Sequence, residues 1–128
     1  MRILGIGVDI VENKRIKLLL NNKRFLSRTF SKNEIKISKN IANKTNFFAK
    51  RFSAKEAFAK SLGTGFRYNL NMKDIEILNN KEGRPYYNKS KKINDIVYRR
   101  FKIRNYNLFL SISDEKDYSI AFTILETK

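Results

Sequence analysis

Phe48, Phe52, Glu56 and Lys60 recur at i, i+4 spacing, which lays them in one stripe along a helix. Two aromatic rings thus run directly into a carboxylate and then an ammonium group. A helix that only packs would continue the stripe with Leu or Ala. Glu56 and Lys60 therefore stand out as groups able to hold a cation, an anion or a proton. The plainer reading is a Glu–Lys pair on a wet helix face, worth about 0.2–0.5 kcal/mol. The helix should stop near Leu62, because Gly63-Thr64-Gly65 follows and glycine readily closes a C-terminus.

A second carboxylate, Asp9, lies in the opening run Ile3 to Glu12. Strand alternation puts Leu4, Ile6, Val8 and Ile10 on one face and Ile3, Gly5, Gly7, Asp9 and Val11 on the other. Two glycines strip that second face just ahead of the acid. Glycine inside a strand marks a bulge, or a close approach by a ligand or another backbone. Neither glycine motif is a nucleotide signature in the usual sense. The first has no third glycine opening a helix, and the second has no Gly-Lys-Ser/Thr ending.

Residue types that are missing narrow the chemistry further. The chain has no His and no Cys. Catalysis by Ser-His or Cys-His pairs is excluded, and a zinc site built on nitrogen or sulfur is ruled against. Any metal must be a hard cation on oxygen ligands, with Mg²⁺ or Mn²⁺ the natural choices. Lys and Arg total 28 against 12 acids, a net charge of +16. A field of that strength favours an anionic partner and accelerates its capture. The competing explanation is compositional drift, since Lys, Asn and Ile are abundant, as AT-rich coding produces.

These side chains need positioning elements, and 128 residues suffice for one domain, 1–128, with an ordinary core. No apolar run approaches the roughly 20 residues of a membrane span, and no signal peptide is recognisable, so the cytoplasm is the expected compartment. After the first strand, the spacing predicts a helix over Arg15 to Leu20. Lys23 to Arg28 reads as a basic segment interleaved with apolar residues. Ser31-Lys32-Asn33-Glu34 has the form of a capping box and should start another helix. Asn43 to Asn46 then precedes the long helix. Phe66 to Asn71 reads as a loop, Asp74 to Leu78 as a strand, Asn79 to Gly83 as a turn and Pro85 to Tyr87 as a strand. Ile93, Ile96, Val97 and Phe101 form a helical stripe. Tyr106 to Ser113 and Tyr118 to Glu126 alternate as a closing hairpin. This order predicts an α+β fold, a mainly antiparallel sheet packed against helices.

Taken together, several blocks resemble the holo-acyl-carrier-protein synthases, small bacterial 4'-phosphopantetheinyl transferases. They are Gly7 to Glu12, Arg51 to Ala57 with Lys60 and Gly63 to Gly65, Asp74 to Ile77, Gly83-Arg84-Pro85, and Ser111 to Glu115. Their order and spacing run nearly end to end. Two positions depart from the pattern: Asp114 stands where many members carry His, and Met72 where many carry Phe.

The resemblance implies transfer of the 4'-phosphopantetheine arm from coenzyme A to a serine of apo-acyl carrier protein, in support of fatty acid synthesis. It implies that Asp9 and Glu56 hold Mg²⁺ (or Mn²⁺) beside the coenzyme diphosphate and that Lys60 assists at a phosphate or at the attacking hydroxyl. Arg51 and Lys55 become candidates for phosphate contact, with a structural ion pair as the equal alternative. Gly63, Thr64, Gly65, Arg84 and Pro85 would border the coenzyme, with a helix cap and a turn as plainer readings. Arg15, Arg24 and Arg28, with Phe25 among them, would form the docking surface for the acidic carrier. A homotrimer with sites across subunit boundaries is implied as well. The alternative from another class is a basic RNA-binding module on Lys81 to Arg104, with Tyr86, Tyr87 and Tyr98 as stacking platforms. Nucleic acid is the less expected partner, because those tyrosines suit strand and helix packing.

Overall fold

The computed structural model describes residues 1–128. Strand β1 (Ile3–Glu12) leads into four helices, α1 (Asn13–Leu19), α2 (Lys23–Thr29), α3 (Lys32–Ser38) and α4 (Lys44–Ser61). A 3₁₀ turn at Met72–Asp74, strands β2 (Ile77–Asn79) and β3 (Pro85–Tyr87), and helix α5 (Lys91–Phe101) follow. Strands β4 (Tyr106–Asp114) and β5 (Tyr118–Thr127) close the chain. The three long strands form one antiparallel sheet in the order β1-β5-β4, and β2 and β3 form a separate antiparallel hairpin. The α+β expectation holds. No helix is long and apolar enough to cross a membrane.

The glycines of β1 explain how sheet and helix meet. A Cβ on Gly5 would lie 1.7 Å from the Ser61 carbonyl oxygen, and one on Gly7 would lie 1.8 Å from that of Ala57. The close approach is therefore by the backbone of α4. Each step of two residues along β1 answers a step of four along α4, in the opposite direction. This match follows from a rise of about 3.3 Å per strand residue and 1.5 Å per helix residue. One step further along β1, Asp9 comes within electrostatic reach of Glu56.

Facing α4 turns the rest of β1 inside out relative to an ordinary edge strand. The glycine face is the covered one, while Ile6, Val8 and Ile10 are more than half exposed. They continue across β5 onto Phe122 and Ile120, their register partners, and onto Phe109 of β4. The result is an apolar sheet face open to solvent.

Two apolar clusters fill the interior. One joins the C-terminal half of α4 to α5 and the sheet through Phe58, Leu62, Ile93, Ile96, Val97 and Leu125, among others. The other packs Val11, Ile16, Phe30, Phe47, Phe48 and Ala49, with Phe25 and Phe52 at its edge.

The capping box at Ser31 and Glu34 is present, and Asn43 and Ser90 cap α4 and α5. The boundaries differ in three places. The first helix starts at Asn13, which is buried and hydrogen-bonds to the Glu115 and Lys116 carbonyls and to Ser119. Lys23 to Arg28 is helical, capped by the Asn22 side chain on the Phe25 amide. Asp74 to Leu78 is a tight turn followed by a short strand. The Met72 and Ile75 carbonyls there both accept from the buried Lys55 ammonium, which bends the chain inward.

Candidate functional site

Asp9 and Glu56 are 47 positions apart in sequence, and the β1–α4 seam brings them into electrostatic contact. Burial holds the Asp9 carboxyl above its ordinary range, partly offset by a hydrogen bond from Lys60 and by the charges of Lys60 and Arg15. Glu56 is raised first by burial and then by the negative charge of Asp9, with Lys60 and Arg15 again opposing. Two acids raised by burial in a half-dry seam, one of them raised further by the charge of the other, form a place prepared for positive charge. Lys60 supplies part of it, donating to the Val8 carbonyl at 3.0 Å and to Asp9 at 3.3 Å. Its side chain is 55% exposed and Asp9's 16%, so this ammonium sits over the mouth of the seam and can still turn toward a ligand.

The donor set suits a hard divalent cation. It consists of two carboxylates with no nitrogen or sulfur ligand, and no third acidic group joins them in a metal cluster. Mg²⁺ uses only one or two protein carboxylates and takes its remaining ligands from water and phosphate oxygens. Asp9 and Glu56 are thus sufficient.

Two residues beyond Lys60, α4 closes at its cap Leu62, and Gly63 and Gly65 both adopt positive φ, 76° and 68°. The Leu62 carbonyl accepts from Arg100 of α5 at 2.8 Å. Between the glycines, the Thr64 hydroxyl oxygen is buried without a hydrogen-bond partner. An orphaned hydroxyl at the end of the same helix is available to a ligand.

Arg51 and Lys55 go elsewhere. Lys55 is fully buried, and its ammonium donates to Glu34 at 2.7 Å as well as to the two turn carbonyls. All three of its donors are used. Arg51 is 4% exposed, stacks on the Phe47 ring at 3.9 Å, donates to Asn79 at 2.7 Å and lies 3.7 Å from Glu34. Of the two alternatives for this pair, the geometry is that of an internal ion-pair network. A phosphate contact by Lys55 is corrected: the group has neither exposure nor a free proton. Glu34, fully buried, also accepts from the Ser31 and Ile77 amides. It is the residue that sequence reasoning passed over, although its capping-box position had marked it.

Arg84 and Pro85 belong to the β2–β3 hairpin. Pro85 lines a small cleft with Lys50, Arg51, Asn79, Gly83 and Asp114, and neither Asp9, Glu56 nor Lys60 reaches it. Gly83 takes φ 86° in the turn that Asn80 closes with side-chain bonds to the Glu82 and Arg84 amides. Asp114, the departure from the family pattern noted above, accepts from Asn46 at 2.9 Å and lies 4.0 Å from Lys50.

Arg15, Arg24 and Arg28 are exposed on α1 and α2, and none has a carboxylate within ion-pair distance. Phe25 sits among them half-buried, edge-on to Phe30 and tilted against Phe52. Arg15 belongs to both regions, since its charge is felt at Asp9 and Glu56. Tyr87 is withdrawn from any stacking role. It is buried, and its hydroxyl pairs with the Ala54 carbonyl and Thr123 at 2.6 Å each.

Fold and site together describe a small α+β protein with two carboxylates paired on the β1–α4 seam. The chain belongs to the 4'-phosphopantetheinyl transferase superfamily, whose model matches residues 5–123. It is 58% identical to the holo-[acyl-carrier-protein] synthase of Pelagibacter ubique (strain HTCC1062), with both chains covered in full. Among solved structures, the holo-[acyl-carrier-protein] synthase of Neisseria meningitidis superposes with a TM-score of 0.87 at 35% identity, covering 98% of this chain and 99% of that one. The synthase of Bacillus anthracis str. Ames, in complex with CoA (3',5'-ADP), gives 0.82 at 33%, with full coverage of both.

Proposed function

We propose that the protein is a holo-acyl-carrier-protein synthase. It transfers 4'-phosphopantetheine from coenzyme A to a serine of an acidic apo-acyl carrier protein and so supports fatty acid synthesis, in the cytoplasm. The observation that carries this reading is the pairing of Asp9 and Glu56 on the β1–α4 seam, each with raised proton affinity. Relatives named for this activity, one of them solved with CoA (3',5'-ADP), supply the substrate class.

In the reaction the serine oxygen bonds to the phosphorus that carries pantetheine, and the bond from that phosphorus to the bridging oxygen breaks. The serine proton is released, and adenosine 3',5'-bisphosphate leaves. Mg²⁺ held by Asp9 and Glu56 would neutralise charge on the diphosphate oxygens. Lys60, one turn along α4 and bonded to Asp9, fixes that carboxylate and presents an ammonium to a neighbouring phosphate oxygen. Gly63, Thr64 and Gly65 bring backbone and an unpaired hydroxyl up to the coenzyme. Arg15, Arg24 and Arg28 orient the carrier around Phe25, with charge complementarity supplying rate and register.

The open sheet face supports self-association, since apolar patches of this kind mark interfaces. A homotrimer would also let the Pro85 cleft of one subunit serve a seam on the next, which accounts for the separation of cleft and seam within one chain. A solution mass of one 15.1 kDa chain would count against that assembly.

Release of adenosine 3',5'-bisphosphate from coenzyme A, followed by chromatography, tests the reading. It should require both Mg²⁺ and apo-carrier. Equal release without the carrier would make the protein a coenzyme A hydrolase instead.

A further inference from the structure

A basic and aromatic cleft of about 430 Å³ lies between α5 and the segment after α4, outside the seam. Tyr68, Lys92, Asp95, Tyr98, Arg99 and Arg104 line it. Its cations divide into two kinds. Lys92 is paired with Asp74, and Asp95 is taken by Lys91. Arg99 and Arg104 have no carboxylate within ion-pair distance, and each lies over a tyrosine ring, Arg99 on Tyr68 at 4.6 Å and Arg104 on Tyr98 at 4.0 Å.

Stacking fixes a guanidinium plane while leaving its donors unused, and a planar fork of donors matches phosphate oxygens. The backbone is committed to the same arrangement. Lys102 leaves α5 in the left-handed region, φ 61°, and the turn carries Arg104 back across Tyr98. Tyr68 and Asn69 on the opposite rim are left-handed too, at φ 59° and 63°. Two non-glycine residues with positive φ on the rim of one cleft are uncommon, and such outliers collect at binding sites. The flat cations offer a second surface, on which a base can stack.

We propose that this cleft is a nucleotide-phosphate site separate from the coenzyme site, with Arg99 and Arg104 gripping the phosphate and their planes receiving the base. The ligand chemistry is shared by a free mononucleotide and by one residue of a single strand. Two probes separate these sources: adenosine 5'-monophosphate and a fluorescein-labelled octauridylate, each titrated with coenzyme A present at saturation to fill the primary site.

At least one probe should bind, and Arg99→Gln with Arg104→Gln should weaken it about tenfold or more, as loss of charge-assisted contacts does. Arg104→Gln alone reads the cleft while leaving the Arg99–Tyr68 stack in place. For the octamer, the double change should also lower the slope of log K against log salt by about 1.4, two charges at about 0.7 each. The expected control, Lys36→Gln with Lys39→Gln on the exposed side of α3, changes affinity little. Binding of the monophosphate places a free nucleotide in the cleft, and binding of the octamer alone places a strand there. The proposal is overturned if neither probe binds, if the α3 control loses as much as the cleft variant, or if the cleft variant raises KM for coenzyme A.

Discussion

Replacing Gly7 by alanine sets a methyl carbon 1.8 Å from the Ala57 carbonyl oxygen and 2.9 Å from the Ser61 nitrogen. Real Cβ contacts stop near 3.0 Å, so strand and helix must part by at least about 1.2 Å. Neither neighbour is a flexible side chain that could swing away. Overpacking of this kind costs about 1–3 kcal/mol, and two opposed backbones should place it near the upper end. With a urea dependence of about 2 kcal/mol per molar, about 3 kcal/mol moves the unfolding midpoint down by about 1.5 M. The catalytic effect should be larger still, because Asp9 is two residues from Gly7 and Glu56 adjoins Ala57. A displacement of about 1 Å between reacting groups can remove about 10²-fold in rate. Gly5→Ala is the internal comparison: its Cβ would lie 1.7 Å from the Ser61 oxygen, but it is two residues farther from Asp9. Urea unfolding and steady-state turnover of both variants test the reasoning. Gly7→Ala should lose stability as Gly5→Ala does and lose more turnover. Wild-type stability in Gly7→Ala, or a greater loss of turnover in Gly5→Ala, would refute the account of the seam.

Asp9→Asn and Glu56→Gln should each lower turnover by about 10²-fold or more, since a metal ion supplies several kcal/mol of transition-state stabilisation. Without metal, the double variant should melt higher than wild type at neutral pH. Both acids hold protons more tightly folded than unfolded. Wild type therefore gains stability as pH falls through their raised values, and the gap should close, as melts across acid pH would reveal. Glu34→Leu or Lys55→Met should each destabilise by about 3–5 kcal/mol, while the double variant recovers only part of that, because it removes the lone Lys55 charge but leaves Arg51 buried without its carboxylate; a urea double-mutant cycle reads this directly. Charge reversal at Arg24 or Arg28 should raise KM for the carrier and leave KM for coenzyme A unchanged, whereas reversal at Arg15, whose charge reaches Asp9 and Glu56, should disturb both. By the same screening argument, kcat/KM for the carrier should fall steeply between about 0.05 and 0.5 M salt, while kcat changes little.

Much of the fold could be read locally. The capping box, the α5 stripe and the closing hairpin are written in short-range periodicity, and the structure places each within a residue or two. Helix α2 escaped because seven residues with only two apolar side chains carry little periodic signal, and its Asn22 cap resembled a loop residue. The strand of β1 was legible, but its wet and dry faces were not. Alternation cannot reveal that a glycine face is covered by a helix backbone while the isoleucine face is open.

The site divides along the same line. Glu56 and Lys60 share a helix face, so spacing alone linked them. Their meeting with Asp9 depends on a long-range contact, which only the resemblance implied. Arg51 and Lys55 have the residue types of a phosphate site, and their true partner, Glu34, lies 17 and 21 positions away on another helix. A side chain's neighbours across the core leave no mark in its own stretch of sequence.

The central claim is transfer of a phosphopantetheine arm through the Asp9–Glu56 seam, and the intact mass of the carrier tests it most directly. Apo-acyl carrier protein, coenzyme A and Mg²⁺ are incubated with wild type, with Glu56→Gln, and with wild type in the presence of a chelator. The account predicts that one phosphopantetheine mass is added to the carrier by wild type alone, at its acceptor serine. An unchanged carrier mass with wild type, or full modification by Glu56→Gln, would contradict it.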